Sequence, residues 1–403
     1  MSLLSFDDAL TQLLNRAHSV TGETSVALSH CDGRVLAHDV IAPLAVPGFD
    51  NSAMDGYALN LRDPAQPPAS LPVVQRIAAG QTGTALAPDT AARIFTGAPV
   101  PPGCNVVVPQ EETATEGDTV QLLAPVRLHQ HIRRRGEDIA EGSVVLKAGT
   151  RLGPAQLALS ASLGIATLPV RPALRVGLLC TGDELTEPGQ PLPEGGIYNS
   201  NRYAIGTLLR RLGVQLHDYG TVADRADATR AALGRAADEC DVVISCGGVS
   251  VGAEDHVKAA VLALGELDLW RIAIKPGKPL AFGRVGKADF IGLPGNPVSA
   301  FLTFLLLARP FLLARMGAAA SPVQALPVRA AFTRAKAESR REFLRAQLAM
   351  NADGTTEAVL YRDQGSAVMS GLAWADGLID VLPGQTVAPG DLVRFLPLPA
   401  LLD

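Results

Sequence analysis

Two aspartates stand close together in the stretch Phe49–Asn60, which reads FDNSAMDGYALN. Asp50 and Asp55 lie among small and polar residues that follow neither a helical nor a strand period. A single aspartate in such a stretch often caps a turn by accepting backbone N–H groups. A second one, followed by Gly56 and Tyr57, equally suits a loop that binds a ligand. These residues alone leave both interpretations open.

Further candidate loops follow apolar runs in the second half of the chain. TGDEL, after VGLLC, contains Glu184, and GGVSVGAED, after VVISC, contains Gly247, Gly248, Ser250 and Asp255. Glycines let backbone N–H groups approach an anion, and the start of the next helix favours negative charge. A tight strand–helix turn is the plain alternative. Neither G-x-x-x-x-G-K-[ST] nor G-x-G-x-x-G is present here, so these loops indicate neither an ordinary ATPase nor a dinucleotide enzyme.

Two more loops offer groups that bind anions. KPGKP holds Lys275 and Lys278 on either side of Pro-Gly, which suits an oxyanion or phosphate as well as a solvated turn. PGNPVSA places Pro294 and Pro297 at a helix start, where backbone N–H groups are free. Acids and anion donors together favour a phosphate ester with a divalent cation. The cation would have oxygen ligands, because Cys and His do not cluster there.

The elements that position these loops alternate between strand and helix over about residues 174–317. Buried strands are predicted at LRVGLLC, VQLHDYGTV, DVVISC, LDLWRIAI, PLAFGRV and DFIGL. Helices are predicted at SNRYAIGTLLRRLG (capped by Ser200), ADATRAALGRAADEC, EDHVKAAVLALG and NPVSAFLTFLLLARPFLLARMG, where Pro310 should produce a kink. This alternation predicts an α/β domain with a mainly parallel sheet, whose ligands bind outside the carboxyl ends of the strands.

A chain of 403 residues is too long for one ordinary core, so several domains are expected. The predicted fold is multidomain, α/β plus β. It has an N-terminal linking domain formed by residues 1–45 and 141–172, a β-rich insert at 46–140, an α/β domain at 173–322 and a small β-barrel-like domain at 323–403.

Composition excludes several classes of protein. The net charge of −5 argues against a broad nucleic-acid-binding surface, so no nucleic-acid partner is predicted. The acidic start MSLLSFDD does not resemble a signal peptide, and Arg309 and Pro310 interrupt the longest apolar stretch. Five cysteines without a CxxC pair suit a reducing compartment. A cytoplasmic protein with no membrane partner is therefore expected.

Seven motifs in order carry a resemblance to a known family. They are PGFDNSAMDGYAL, IFTGAPVPPGCNVVVPQEE, RRRGEDI, TGDEL, CGGVSVGAED, IKPGKP and GLPGNPVSA. In this order they closely resemble the molybdopterin molybdenumtransferases, the MoeA family, whose eukaryotic counterpart is the E domain of gephyrin. The resemblance covers essentially the whole chain.

The resemblance implies the last step of molybdenum cofactor synthesis. Such enzymes bind adenylylated molybdopterin, insert molybdenum from molybdate and release AMP, with a divalent cation such as Mg²⁺. It also implies a central α/β domain of the molybdopterin-binding type and a homodimer. Each site in that dimer would combine the insert of one subunit with the α/β and C-terminal domains of the other. A separate molybdopterin adenylyltransferase is a further candidate partner, as the supplier of the intermediate.

The resemblance also assigns residues. Its catalytic positions are Asp55, Asp138, Glu184 and Asp255, with Glu184 and Asp255 as metal ligands. Its substrate-binding positions are Thr96, Arg133, Asp224, Gly247, Gly248, Ser250, Lys275, Lys278, Pro294, Pro297, Ser299, Arg341 and Ser366. Arg345 is the alternative to Arg341 as a molybdate contact.

Two other functions compete with this assignment. A molybdopterin adenylyltransferase shares the α/β domain and a similar glycine loop, but lacks the insert and the C-terminal β domain. A gephyrin-like scaffold would need long partner-binding linkers, which this sequence does not contain. Both are therefore less favoured than the metal-inserting enzyme.

Overall fold

The computed structural model describes residues 3–248, 256–277, 279–320 and 322–402. The chain divides into two compact units. The first comprises Met1–His38, Ala148–Pro154 and Thr167–Asp403, and the second comprises Asp39–Lys147 and Ala155–Ala166. The segment 46–140, predicted as an insert, lies wholly within the second unit.

The described helices vary from one to four turns. They are α1 (Phe6–Asn15), α2 (Pro154–Ser162), α3 (Ser200–Leu212), α4 (Ala226–Glu239), α5 (His256–Leu264), α6 (Pro297–Thr303), α7 (Arg309–Arg315), α8 (Ser370–Trp374) and α9 (Leu398–Leu402). A π-helical turn, Phe304–Ala308, joins α6 to α7 just before Pro310, whose missing N–H interrupts the helical hydrogen bonds. By length and composition alone, Pro297–Arg315 could cross a membrane, but 72% of its most apolar window is buried, as in a core helix.

The second unit is rich in short strands. The strands up to residue 146 are β1 (Thr24–Ala27), β2 (Val40–Ile41), β3 (Asn51–Ser52), β4 (Gly56–Asn60), β5 (Leu71–Ile77), β6 (Thr90–Ile94), β7 (Val106–Pro109), β8 (Thr113–Glu116), β9 (Thr119–Leu122), β10 (Ile132–Arg133) and β11 (Val144–Leu146). Six of them form a sheet in the order β7-β4-β6-β5-β9-β8. Strand β3 pairs with β10, and β2 pairs with β11.

The α/β region of the first unit is built on a second sheet. Its strands and their neighbours are β12 (Thr167–Val170), β13 (Arg175–Thr181), β14 (Leu185–Thr186), β15 (Ile197–Tyr198), β16 (Gln215–Val222), β17 (Val242–Cys246), β18 (Gly265–Arg271), β19 (Ile274–Lys275), β20 (Pro279–Val285) and β21 (Ala288–Leu293). The sheet order is β16-β13-β17-β21-β20-β18. Strands β16, β13, β17 and β21 run parallel, and β20 runs antiparallel to both of its neighbours.

Both faces of this sheet are covered by helices, which explains its continuous apolar strands. Side chains of α4 and α5 pack with Leu179 and Val243 in one cluster. Side chains of α3, α6 and α7 pack with Leu178 and Ile244 in another. The predicted α/β domain with a mainly parallel sheet is confirmed.

One local prediction for this region is wrong. Ser200 is the first residue of α3, and the cap is the preceding Asn199, whose side chain accepts a hydrogen bond from the Arg202 N–H. Asn and Ser are nearly equivalent caps, so composition alone did not separate them. The predicted end at Gly213 is correct, and that residue has a φ of 86°.

The C-terminal strands close into a barrel, as predicted. They are β22 (Leu326–Ala330), β23 (Arg341–Met350), β24 (Thr356–Leu360), β25 (Gly377–Val381) and β26 (Leu392–Pro397). Pairings of β22 with β24 and β26, β23 with β24 and β25, and β25 with β26 complete the ring. Strand β19 pairs in parallel with β23, so the chain around Lys275 is an extension of the barrel.

The N-terminal segment packs on the rest of the first unit through strand pairing and aromatic contacts. Strand β1 pairs antiparallel with β12, which joins the two sides of the interrupted N-terminal region. The ring of Phe6 on α1 lies 5.5 Å from the ring of Phe343 on β23. Residues distant in sequence thereby share one core.

Candidate active site

The Asp55 carboxylate, in the second unit, is bonded to Thr96. The backbone N–H and the hydroxyl of Thr96 donate to Asp55 Oδ1 over 2.8 and 2.7 Å. These two bonds, the backbone one first, lower the pKa of Asp55, and its side chain is exposed. The structure thus brings together two predicted site residues, and Asp55 presents an ionised carboxylate to solvent at neutral pH.

Asp50 has a different role from Asp55. Its carboxylate accepts hydrogen bonds from Arg134 Nη1 over 2.6 Å and from the Arg135 N–H over 2.8 Å. The Arg135 bond is the largest cause of its lowered pKa. Asp50 therefore anchors the loop to the segment 133–138, whereas the Asp55 carboxylate is bonded to Thr96.

The other predicted residues of the second unit lie on the neighbouring segment. Arg133 is on β10, paired in register with Asn51 of β3, and its side chain is exposed. Asp138 is also exposed, and its backbone N–H donates to the Val46 carbonyl over 3.0 Å. Arg133 is thus adjacent to the aspartate loop.

In the first unit, the candidate loops meet at the carboxyl edge of the parallel strands. Asp183 Oδ1, after β13, accepts the backbone N–H of Asp224, after β16, over 3.0 Å. The Gly247 N–H, after β17, donates to the Leu293 carbonyl at the end of β21 over 3.1 Å. Glu184, on the same loop as Asp183, is exposed. Parallel strands of one sheet bring these distant loops together, as the sequence predicts.

The glycines of this edge are required by its geometry. Gly247 and Gly248 have φ of 93° and 67°, which side chains rarely adopt. A Cβ on Gly247 would lie 2.9 Å from the Thr181 carbonyl oxygen, and one on Gly248 would lie 2.3 Å from Val257 Cγ2. Close packing against the Thr181 backbone therefore requires Gly247, and close packing against the Val257 side chain requires Gly248.

The start of α6 meets the loop that contains Ser366. The Val298 N–H, near the helix start formed by Pro294–Pro297, donates to the Ser366 carbonyl over 3.0 Å. Ser299 is buried directly after it, with 4% exposure. The helix start that carries the predicted Pro297 and Ser299 is thus joined to the predicted Ser366 by the Val298 N–H.

Lys275 has partners that the sequence did not predict. Its Nζ lies 3.0 Å from Glu342 Oε1 and 3.4 Å from Glu338 Oε1. Burial would raise the pKa of Glu342, but hydrogen bonds from Arg334 and Lys275 outweigh burial and lower it. The sequence feature that could have predicted this pairing is Glu342, an acid inside the apolar strand pattern REFLRAQL. The carboxylates of the barrel therefore fix the position of the Lys275 ammonium group.

Arg341 does not suit the predicted role of an oxyanion ligand. Its Nε and Nη2 donate to Asp380 over 2.7 and 2.8 Å, and its Nη1 donates to Asp7 over 2.9 Å. Its side chain is 13% exposed and lies over the rings of Phe6 and Phe343. Because the guanidinium is engaged on every nitrogen, Arg341 connects α1 to the barrel.

Arg345 binds the backbone of the loop that contains Ser366. It is 1% exposed, and its guanidinium donates to the carbonyls of Asp363, Gly365 and Val368 over 2.9–3.1 Å. Its N–H also donates to Gln364 Oε1 over 2.8 Å. In this structure Arg345 shapes the predicted anion loop through its backbone.

Replacing Arg345 by methionine should loosen this loop. Three partly buried carbonyls would lose their donors, which costs about 3 kcal/mol in stability, and Arg345→Lys should cost less because it keeps a charged donor. Hydrogen exchange of residues 363–368 and urea unfolding measure the effect. The control is Arg329→Met, which removes one exposed bond to Gly390 in the same barrel. Equal protection of the loop in Arg345→Met and the wild type would contradict this role.

The donors at the carboxyl edge of the parallel strands suit the divalent cation that the resemblance implies. Asp183, Glu184 and Asp224 supply carboxylate oxygens on adjoining loops, as a hard cation prefers. No group of three or more His, Cys, Asp or Glu among the described residues could hold a metal ion by itself. Mg²⁺ commonly takes one or two carboxylates and completes its shell with phosphates and water, so these donors fit.

Three predicted site residues lie outside the described parts of the chain. They are Ser250, Asp255 and Lys278.

Three family profiles match successive parts of the sequence. The MoeA N-terminal region (domain I and II) matches residues 4–164, a probable molybdopterin binding domain matches 177–314, and the MoeA C-terminal region (domain IV) matches 327–398. Together they span both units and the barrel.

Individual proteins show the same relationship. The molybdopterin molybdenumtransferase of Haemophilus influenzae is 39% identical over 99% of this chain and 100% of its own length. The molybdopterin molybdenumtransferase 2 of Mycobacterium tuberculosis is 41% identical over 89% of this chain and 90% of its own length. A crystal structure of the molybdopterin biosynthesis MoeA protein of Pyrococcus horikoshii superposes with a TM-score of 0.81 at 28% identity, covering 98% of this chain and 100% of that one. The resemblance seen in the motifs is confirmed, and the chain belongs to the MoeA family of molybdopterin molybdenumtransferases.

Proposed function

We propose that this protein is a transferase that inserts molybdenum from molybdate into adenylylated molybdopterin and releases AMP, the final step of molybdenum cofactor synthesis. The observation that carries the proposal is the end-to-end match to a molybdopterin molybdenumtransferase, over 99% of this chain. The match includes the insert and the C-terminal barrel. A molybdopterin adenylyltransferase lacks both, so that alternative is not favoured.

The site geometry supports a division of labour among this chain's residues. Lys275, positioned by Glu342, would donate to an oxyanion, and the Ser366 hydroxyl would add a neutral donor. The backbone of Gly247 and Gly248 and the start of α6 would bind phosphate oxygens. Asp55, ionised and exposed beside Thr96, would act as a general base of the insert.

Mg²⁺ is proposed as the cation. Glu184, together with Asp255, would hold it, with Asp183 and Asp224 close by. When bound, the cation would neutralise charge on the phosphates of the substrate. The carboxylates of this chain would orient it and raise its local concentration at the sheet edge.

The test is AMP release from adenylylated molybdopterin with molybdate and Mg²⁺. Release should require molybdate, stop with EDTA and return with excess Mg²⁺. A second reaction with molybdopterin and ATP should yield no pyrophosphate, since that product would indicate an adenylyltransferase. Absence of AMP release in the complete mixture would refute the proposed function, and release that persists in EDTA would refute the role of the cation.

We further propose a cytoplasmic homodimer that receives its substrate from an adenylyltransferase. In this dimer the insert of one subunit and the α/β and C-terminal domains of the other would contribute to each site. The family resemblance supports this arrangement, together with the separation of Asp55 from Glu184 in different compact units.

A further inference from the structure

Beside the Asp55 loop, four side chains of the second unit form a continuous series of cation–aromatic contacts. Arg76 lies over the ring of Phe95 at 4.7 Å, and Arg93 lies over Phe95 at 5.0 Å and over Tyr57 at 5.1 Å. We call this group the Arg76–Tyr57 stack. In the sheet, Arg93 is in register with both Tyr57 and Arg76, and in-register neighbours share one face. The stack therefore follows from the strand order.

Arg93 and Phe95 of the stack position the loop that carries Asp55. Arg93 donates from Nη1 to the Gly56 carbonyl over 3.2 Å and from Nη2 to the side chain of Gln110. The Gln110 N–H donates to the Asp55 carbonyl over 3.0 Å. Phe95 directly precedes Thr96, which binds the Asp55 carboxylate. The stack and the candidate catalytic acid thus share one framework.

The outer member, Arg76, differs from Arg93. Its side chain is exposed, and its guanidinium makes no hydrogen bond or ion pair with another residue in the described parts of the chain. Stacking on Phe95 restricts its side chain without occupying its N–H donors. A guanidinium ordered in this way loses less freedom on binding and presents a planar fork that matches phosphate oxygens.

We propose that the Arg76–Tyr57 stack is a phosphate-binding site of the insert, in which Arg76 donates to the diphosphate of the adenylylated substrate. The proposal rests on the proposed function, and it adds a substrate contact to it. Arg76 supplies the bonds to the anion. Arg93 contributes a second positive charge nearby, and Phe95 holds Arg76 in place.

The test is equilibrium binding of adenylylated molybdopterin to the full chain without molybdate, which needs no turnover. Arg76→Gln should weaken binding about tenfold, as loss of a charge-assisted hydrogen bond predicts. Binding should also depend less steeply on salt. Phe95→Leu, which keeps all charges, should weaken binding by a smaller factor. Under turnover, Arg76→Gln should raise the KM for the adenylylated substrate and leave the KM for molybdate unchanged.

Arg62→Gln is the matched control. Arg62 is also an exposed arginine of the second unit, but it is paired with Asp89 at 3.1 Å. Unchanged affinity in Arg76→Gln, or an equal loss in Arg62→Gln, overturns the proposal. The proposal is also overturned if Arg76→Gln loses affinity for uncharged 6-hydroxymethylpterin by the same factor as for adenylylated molybdopterin. Such a loss would indicate that Arg76 stacks on the pterin ring and does not bind phosphate. If the wild type binds the substrate through Arg76 but releases no AMP, the proposed function fails and this site stands.

Discussion

Asp55→Asn should lower AMP release about 10²–10⁴-fold, the range expected when a general acid or base is removed. Asparagine has the same shape, and its Oδ1 can still accept the two bonds from Thr96. The variant therefore loses the negative charge and the ability to carry a proton while the loop is preserved. AMP release at saturating substrates measures the effect, and substrate binding should change much less.

Asp50→Asn is the control for this prediction, since it removes the other carboxylate of the same stretch. It weakens an ion pair with Arg134 that is partly exposed, and such pairs contribute about 1 kcal/mol or less. Its effect on AMP release should therefore stay within about fivefold. Losses of the same size in both variants would mean that Asp55 has only a structural role in the loop.

Co-refolding two inactive variants should restore activity if each site is shared across a homodimer. Asp55→Asn removes an acid of the second unit, and Glu184→Gln removes one from the first. Each homodimer carries a lesion in every site. In a mixed dimer, one shared site receives both lesions and the other receives none. With random pairing, about a quarter of all sites should be intact, because a two-fold dimer holds two equivalent sites.

The measurement is AMP release by the co-refolded mixture, compared with each variant refolded alone. Native mass spectrometry of variants with different tags confirms that mixed dimers have formed. If each site were built within one subunit, every site in the mixture would still carry a lesion. No recovery in the presence of mixed dimers would therefore exclude the shared site, and a protein that remains monomeric would exclude the homodimer.

Local patterns in the sequence determined the fold class. Continuous apolar runs such as VGLLC and VVISC predicted β13 and β17, because a strand buried on both faces needs apolar residues at successive positions. Alternation of strands and helices then placed the loops of Glu184 and Gly247 at one edge of a sheet. These inferences succeeded because they depend on neighbours in the chain and on a general rule of topology.

The roles of individual charged residues were decided by the tertiary structure. Asp50 and Asp55 look alike in FDNSAMDGY, but Arg134 pairs with one and Thr96 binds the other. Likewise, REFLR did not reveal that Arg341 is engaged by Asp380, or that Arg345 bonds the backbone of the Ser366 loop. The partner of a charged side chain is often distant in sequence, and one residue type serves equally as ligand, cap or anchor. Only the packing of strands and loops determines which donors and acceptors are already occupied and which remain available to substrate.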